Sequence, residues 1–345
     1  MSLHAEIMEQ PEVLRRLLKS KMEEVENISC FFKKRKIAFI CLAARGTSDN
    51  AGLYAKYLWG AFNGIPIALA APSLFTVYKK PPRLQNSLVV VISQSGQSPD
   101  ILGVAEEGRR QGAPVLAITN DVSSPLAAAS DFVIDICAGI EKSVAATKTY
   151  TAQLLAIAML SVAMNPDDHR MSVLKRLPDL ADEVLALDGI TRQAAEDYEA
   201  MEQCVVLGRG FNYATAYEWS LKLKELAYVV AEPYSSSDFQ HGPVAVVTRD
   251  FPVLAIVPEG AVFEDMFSLL SVLVNERQVK LLVLSNKREA LSLSSTALRL
   301  PHELPEWLSP IVSIIPAQLF CYHLTCRKGL DTETPRGLKK VTLTK

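Results

Sequence analysis

The sequence predicts an α/β protein of two tandem doubly wound units, each a parallel sheet with helices on both faces. Three observations carry that expectation. Short, continuous apolar runs alternate with stretches of helical periodicity, as in strands buried on both faces of a parallel sheet. Several runs end in a polar, glycine-containing loop that opens a helix. Landmarks also recur: Arg45-Gly46 returns as Arg209-Gly210 at an offset of 164, Gly96 as Gly260 at the same offset, and Thr119-Asn120 as Ser285-Asn286 at 166. The 345 residues, 49% hydrophobic and 21% charged, suffice for two cores and argue against disorder.

Residues 4–30 alternate charge and leucine at helical spacing, so an N-terminal helical arm is expected over 1–34. The first unit is placed at 35–165. Residues 37–42 are its first strand, leading through Arg45-Gly46-Thr47-Ser48 into a helix to about Phe62. Residues 65–70 form the next strand, and 88–92 a third that ends in Ser93-Gln94-Ser95-Gly96. Ser98-Pro99-Asp100 opens a helix to about Gln111, with Ser98 suited to the N-cap and Pro99 to the first helical position. Residues 114–118 and 132–136 complete the strands. Charged, helical sequence at 166–200 joins this unit to a second one at 201–330, and 331–345 form a tail. The second unit repeats the order but ends its matching strand in Pro258-Glu259-Gly260-Ala261. The hydroxyl-rich loop therefore occurs once, and one such ligand loop per chain is expected.

Composition excludes several classes of function. With 36 basic and 38 acidic residues the net charge is -2, so nucleic-acid binding by bulk electrostatics is not expected. The six cysteines are scattered without a CxxC pair, which suggests buried, reduced thiols and no zinc site. The first ten residues lack the apolar core of a signal peptide. The longest apolar stretch, 154–164, is shorter than the ~20 residues a membrane span needs. A cytoplasmic protein with no membrane association is the expectation.

Four places could carry chemistry. Ser93, Gln94, Ser95 and Ser98 stand between a strand end and a helix start, where free N–H groups and a partial positive charge suit a phosphate. Thr47 and Ser48 hold the equivalent place one strand away; ordinary capping is the competing reading. Neither loop is a Walker A motif, and Gly208-Arg209-Gly210 is too little for a dinucleotide site. Lys222 and Glu225 share one helix face at a spacing of three, as a surface ion pair or as an ionised base beside an ammonium. His241, in Gln240-His241-Gly242-Pro243, is held in a turn, as a structural residue or a proton shuttle. His4, His169, His302 and His323 have no neighbours that suggest a site. The tail, Pro335-Arg336-Gly337-Leu338-Lys339-Lys340-Val341-Thr342, is a frayed basic terminus or brings an amine to a carbonyl sugar.

Taken in order, these segments resemble the tandem sugar isomerase (SIS) domain family. The resemblance rests on Glu6-Ile7-Met8-Glu9-Gln10-Pro11, Arg45-Gly46-Thr47-Ser48, Ser93-Gln94-Ser95-Gly96, Ala146-Thr147-Lys148, Leu221-Lys222-Leu223-Lys224-Glu225, His241-Gly242-Pro243 and Pro335-Arg336 with Lys340, and it covers essentially the whole chain. Within the family, the chain looks most like the isomerase half of glucosamine-6-phosphate synthase and the stand-alone glucosamine-6-phosphate deaminases. The resemblance implies two flavodoxin-like three-layer sandwiches. It implies that Gly46, Thr47, Ser48, Ser93, Gln94, Ser95 and Ser98 hold a sugar phosphate, with Val144 and Arg336 also in the binding set. It implies that Glu225 moves a proton between C1 and C2, supported by Lys222. His241 would open the ring, reaching in from the partner of a homodimer with a shared active site, and Lys340 would form the imine. No metal and no redox cofactor is implied.

The chain begins Met1-Ser2-Leu3, without the glutaminase domain that precedes this region in the synthase, so hydrolysis of glutamine in cis is not expected. Gln97 and Ala146 depart from the synthase, whereas Ser98-Pro99-Asp100 and the tail look like the deaminase branch. The expected reaction interconverts an aldosamine 6-phosphate with a ketose 6-phosphate and ammonia. Deglycation of a fructosamine-type phosphate and a non-catalytic sugar-phosphate sensor are the alternatives.

Overall fold

In the computed structural model, which describes residues 2–340, alternating strands and helices build two sheets. The chain runs α1 (Leu3–Met8), α2 (Gln10–Lys33), β1 (Phe39–Ala43), α3 (Thr47–Asn63), β2 (Ile67–Leu69), α4 (Pro72–Thr76), β3 (Ser87–Ser93), α5 (Pro99–Arg110), β4 (Val115–Thr119), α6 (Pro125–Ala128), β5 (Phe132–Asp135) and α7 (Lys148–Met164). It continues through α8 (Asp168–Leu185), α9 (Asp188–Asp197), β6 (Gln203–Gly208), α10 (Tyr213–Leu226), β7 (Val230–Ser235), α11 (Ser236–Gln240), β8 (Pro252–Ile256), α12 (Phe263–Arg277), β9 (Lys280–Ser285), α13 (Arg288–Leu293), β10 (Thr296–Arg299) and α14 (Ser309–Arg327). The first sheet has the order β2-β1-β3-β4-β5 and the second β7-β6-β8-β9-β10, and all pairings are parallel. Both are doubly wound α/β sheets of the same topology, which is the fold class the sequence predicts.

Two compact units hold these sheets. One comprises, of the described residues, 10–141, 148–176 and 339–340; the other comprises 2–9, 142–147 and 177–338. In the first, every residue of β3 and β4 is buried, which is why those strands read as unbroken apolar runs. α7 is buried on every side from Lys148 to Ala163, and apolar residues lie all round its C-terminal part, residues 154–164, with Ser161 the one polar exception. The apolar face of α2 packs on it, and Trp59 Nε1 of α3 donates to the Ile157 carbonyl at 3.0 Å. In the second, α14 plays the corresponding part, with α9 and α10 packed against it.

The cysteines depart from expectation. Cys41, Cys204 and Cys321 are buried free thiols, and burial pushes the Cys41 thiol up to about 11. Cys137 is half-buried, however, and Cys30 and Cys326 are exposed, on the outer face of α2 and at the end of α14. Among the described residues no helix is long and apolar enough to cross a membrane.

Candidate active site

The strand order of the first sheet reverses between β1 and β3, and open α/β sheets bind ligands at such a switch point, beyond the carboxyl ends of the strands. β1 leads into α3 and β3 into α5, so two helix N-termini rise from neighbouring strands, each presenting partial positive charge. Arg45 Nε donates to the buried Asp100 Oδ2 at 2.7 Å, tying the two loops together. Gly96 turns the loop at φ +62°; a β-carbon there would lie 2.2 Å from Ser124 Oγ, so the turn requires glycine. The Gly96 N–H donates to the buried Ser93 Oγ at 3.0 Å. Ser48, also buried, accepts from Gln153 Nε2 at 3.1 Å. Thr47, Gln94, Ser95 and Ser98 are half-buried and Gly46 is exposed at φ +54°. Ser98 occupies the N-cap position of α5, but its hydroxyl does not cap the helix. The amide a cap would satisfy, Ile101 N–H, donates instead to Asp100 Oδ1 at 2.9 Å.

At the matching switch point of the second sheet, Arg209 lies 3.5 Å from Asp265, echoing Arg45 and Asp100. There the protein supplies its own anion. Glu306 Oε2 accepts from Ala261 N–H at 2.8 Å, and a β-carbon on Gly260 would lie 2.3 Å from that oxygen. The amide an incoming phosphate would use is already occupied.

α10 carries the carboxylate and its partner. Trp219, Leu223 and Leu226 turn one face into the core, and α14 covers the helix. That packing takes Lys222 with it: the side chain is 1% exposed. It is no surface ion pair. Its ammonium donates to Glu225 Oε2 at 2.5 Å and lies 3.4 Å from Glu218 Oε1. Burial lowers its tendency to hold a proton, but the two carboxylates outweigh this and the pKa is raised. Glu218 is wholly buried, whereas Glu225 keeps 22% of its side chain exposed. Of the two acids on the ammonium, only Glu225 reaches a surface. Glu218 was missed in the sequence, although its i, i+4 spacing to Lys222 is a readable sign.

The other candidates separate clearly. His241 ends α11, and Gly242 at φ +132° turns the chain after it; the imidazole is exposed and makes no hydrogen bond among the described residues. Val144 is half-buried in the loop 142–147. The wholly buried Glu6 carboxylate shapes that loop, accepting from Lys142 N–H at 2.5 Å and Ser143 N–H at 3.2 Å. Arg336 is exposed; its guanidinium lies 4.5 Å from the centre of the Tyr228 ring, and its main-chain N–H donates to the Tyr228 hydroxyl at 2.6 Å. Lys340 is half-buried and its ammonium donates to Glu141 Oε2 at 2.7 Å. Glu141 is buried and also accepts from Thr149 N–H at 3.1 Å and Thr149 Oγ1 at 2.8 Å. Val341 and Thr342, named with the tail above, lie outside the described residues.

Comparison with known proteins identifies the repeated unit. The SIS domain matches residues 31–163 and again 198–327. The chain is 33% identical over 337 residues to the glutamine–fructose-6-phosphate aminotransferase (isomerizing) of Aquifex aeolicus, covering 97% of this chain but 56% of that protein. It thus spans a little over half the length of the curated relatives it matches. The C-terminal domain of the glucosamine-fructose-6-phosphate aminotransferase of Francisella tularensis superposes with a TM-score of 0.87 at 32% identity, covering 96% of this chain and 98% of that one. The glucosamine-6-phosphate deaminase of Thermotoga maritima shares the fold over 100% of both chains, with a TM-score of 0.79 at 20% identity.

Proposed function

This chain belongs to the SIS domain family, and on that premise we propose that it is a phosphosugar isomerase whose reaction is the deamination of an aldosamine 6-phosphate to a ketose 6-phosphate and ammonia. The observation that carries the reading is the ion triad of α10. A cation buried between two carboxylates, only one of which reaches a surface, is an arrangement a phosphate-binding module does not need. It suits a base that must stay ionised until it takes a proton.

The sugar phosphate is held at the β1/β3 switch point by Ser93, Gln94, Ser95 and Ser98 with Gly46, Thr47 and Ser48. Val144 and Arg336 complete the binding set. His241 promotes ring opening. Glu225 takes the C2 proton of the open-chain aldosamine and returns it at C1, through an enolamine. Water then adds to the resulting C2 imine, and ammonia leaves. Lys222 keeps the carboxylate charged and oriented. If Lys340 forms an imine with the sugar's C1 carbonyl, releasing water, its ammonium must first pass a proton to Glu141, the acceptor already in contact, and then leave it. The direct test is ammonia release and ketose formation by the purified chain across a panel of amino-sugar phosphates. Binding without turnover of any of them would leave only a sensor.

Two narrower results are expected. The Ser95 hydroxyl is half-buried and makes no hydrogen bond among the described residues, which leaves it available to a phosphate oxygen. Ser95→Ala removes one hydrogen bond to a charged group, worth about 1.5–3 kcal/mol, or roughly 10- to 150-fold in affinity. Calorimetric titration with the sugar phosphate reads this directly, and unchanged affinity would remove Ser95 from the site.

The second result concerns assembly. The exposed His241 has the apolar Val246, 57% exposed, close behind it in sequence, which supports a homodimer in which His241 serves the neighbour's site. Inactive Glu225→Gln chains mixed with inactive His241→Ala chains are then expected to regain activity. Each mixed dimer would carry one doubly damaged and one intact site. Mixed dimers that form but remain inactive would show that each chain uses its own histidine.

A further inference from the structure

His4 and His323 suggested no site in the sequence, yet the fold brings them together. His4 stands on α1, His323 on α14, and Asp188 is the first residue of α9. His4 Nε2 lies 3.1 Å and His323 Nε2 2.7 Å from one carboxylate oxygen, Asp188 Oδ1. The three candidate ligand atoms fall within 4.8 Å of one another. The other oxygen, Asp188 Oδ2, faces Arg192 Nη2 at 3.8 Å, so Oδ1 is the one left to the imidazoles. Side-chain exposure is 30% for His4, 24% for Asp188 and 7% for His323, which leaves the cluster open to solvent on the His4 side.

We propose that His4, Asp188 and His323 bind one divalent transition-metal ion of the zinc class, which pins α1 to α9 and α14. Two imidazole nitrogens and one carboxylate oxygen are a ligand set that such ions favour over calcium or magnesium, and three protein ligands leave a fourth position for water. The ligands come from three helices far apart in sequence, so they meet only in the folded chain, and bound metal stabilises the contact that α1 makes. That contact has a consequence on the same short helix. Two residues beyond His4, Glu6 accepts the Lys142 and Ser143 N–H groups. An ion that holds α1 therefore steadies the 142–147 loop.

The test uses the full chain without a polyhistidine tag, freed of metal by a chelator and titrated with Zn²⁺ alone, then with Co²⁺ alone. One ion per chain is expected. His4→Ala and Asp188→Asn are each expected to weaken zinc binding by more than the ~10–100-fold that follows loss of an outer-shell partner. Amide exchange in residues 3–8 and 142–147 is expected to slow with Zn²⁺ in the wild type and not in His4→Ala. His4 is partly exposed on a six-residue helix, so its variant keeps the fold if Asp188→Asn does not. Absence of Zn²⁺ and Co²⁺ binding by the wild type would overturn the proposal, as would unchanged affinity in His4→Ala. Binding that disappears when the thiols are alkylated, with a thiolate charge-transfer band in the Co²⁺ complex, would assign the ion to the exposed Cys30 or Cys326 instead.

Discussion

Glu225→Gln is expected to lower turnover by roughly 10²–10⁴-fold, the usual contribution of a positioned general base. Sugar-phosphate affinity is expected to change far less. Glutamine keeps the length of the side chain and can still accept from Lys222, but it cannot take a proton. The phosphate contacts proposed above, Ser93, Ser95 and Ser98, belong to a different compact unit from Glu225. A loss confined to turnover separates a transition-state role from a binding role. Exchange of the substrate C2 hydrogen with deuterated solvent, or its transfer to C1, is expected to slow in parallel with ammonia release. Wild-type turnover in Glu225→Gln would return the residue to a structural part in the triad. A large loss of affinity with little loss of turnover would make it a binding residue.

Lys222→Met is expected to produce the largest loss of stability from a single side chain near the site. Methionine fills much of the volume, but it takes the ammonium's charge away from Glu218, whose carboxylate is wholly buried. Removing one partner of a buried ion pair costs about 3–5 kcal/mol, chiefly through the uncompensated charge left behind. Adding Glu218→Gln removes that charge and is expected to restore much of the loss. Urea unfolding of both single variants and the double variant closes the cycle. A Lys222→Met chain with the wild-type urea midpoint would contradict the buried triad.

The direction of the Lys222 shift fixes the pH behaviour. Its folded pKa lies above its unfolded value, so its contribution is fully present below the unfolded pKa near ~10.4 and fades only as pH rises through the folded one. Stability between about pH 6 and 9 is therefore not expected to vary on account of Lys222.

By itself the sequence determined the strands and the repeat, and it singled out the hydroxyl-rich loop that follows β3. The run at 37–42 is β1, Phe39–Ala43, and the offset of 164 carries Phe39 onto Gln203, where β6 begins. Strands buried on both faces must be continuously apolar, and a helix that starts at a strand end must begin with turn and capping residues. Both demands are local, so both are written in adjacent residues. Even here one detail escaped: Asp100, not Ser98, satisfies the first turn of α5.

What the tertiary structure alone decided is burial and long-range pairing. A spacing of three between Lys222 and Glu225 is the same on a wet helix face as on a covered one, and α14, nearly a hundred residues later, does the covering. Glu141 meets Lys340, Glu6 meets Lys142 and Ser143, and Asp188 gathers His4 and His323. None of these pairs shares a helix face or a strand register. A buried charge must find an opposite charge or hydrogen-bonding groups wherever packing provides them, and packing is a property of the whole fold.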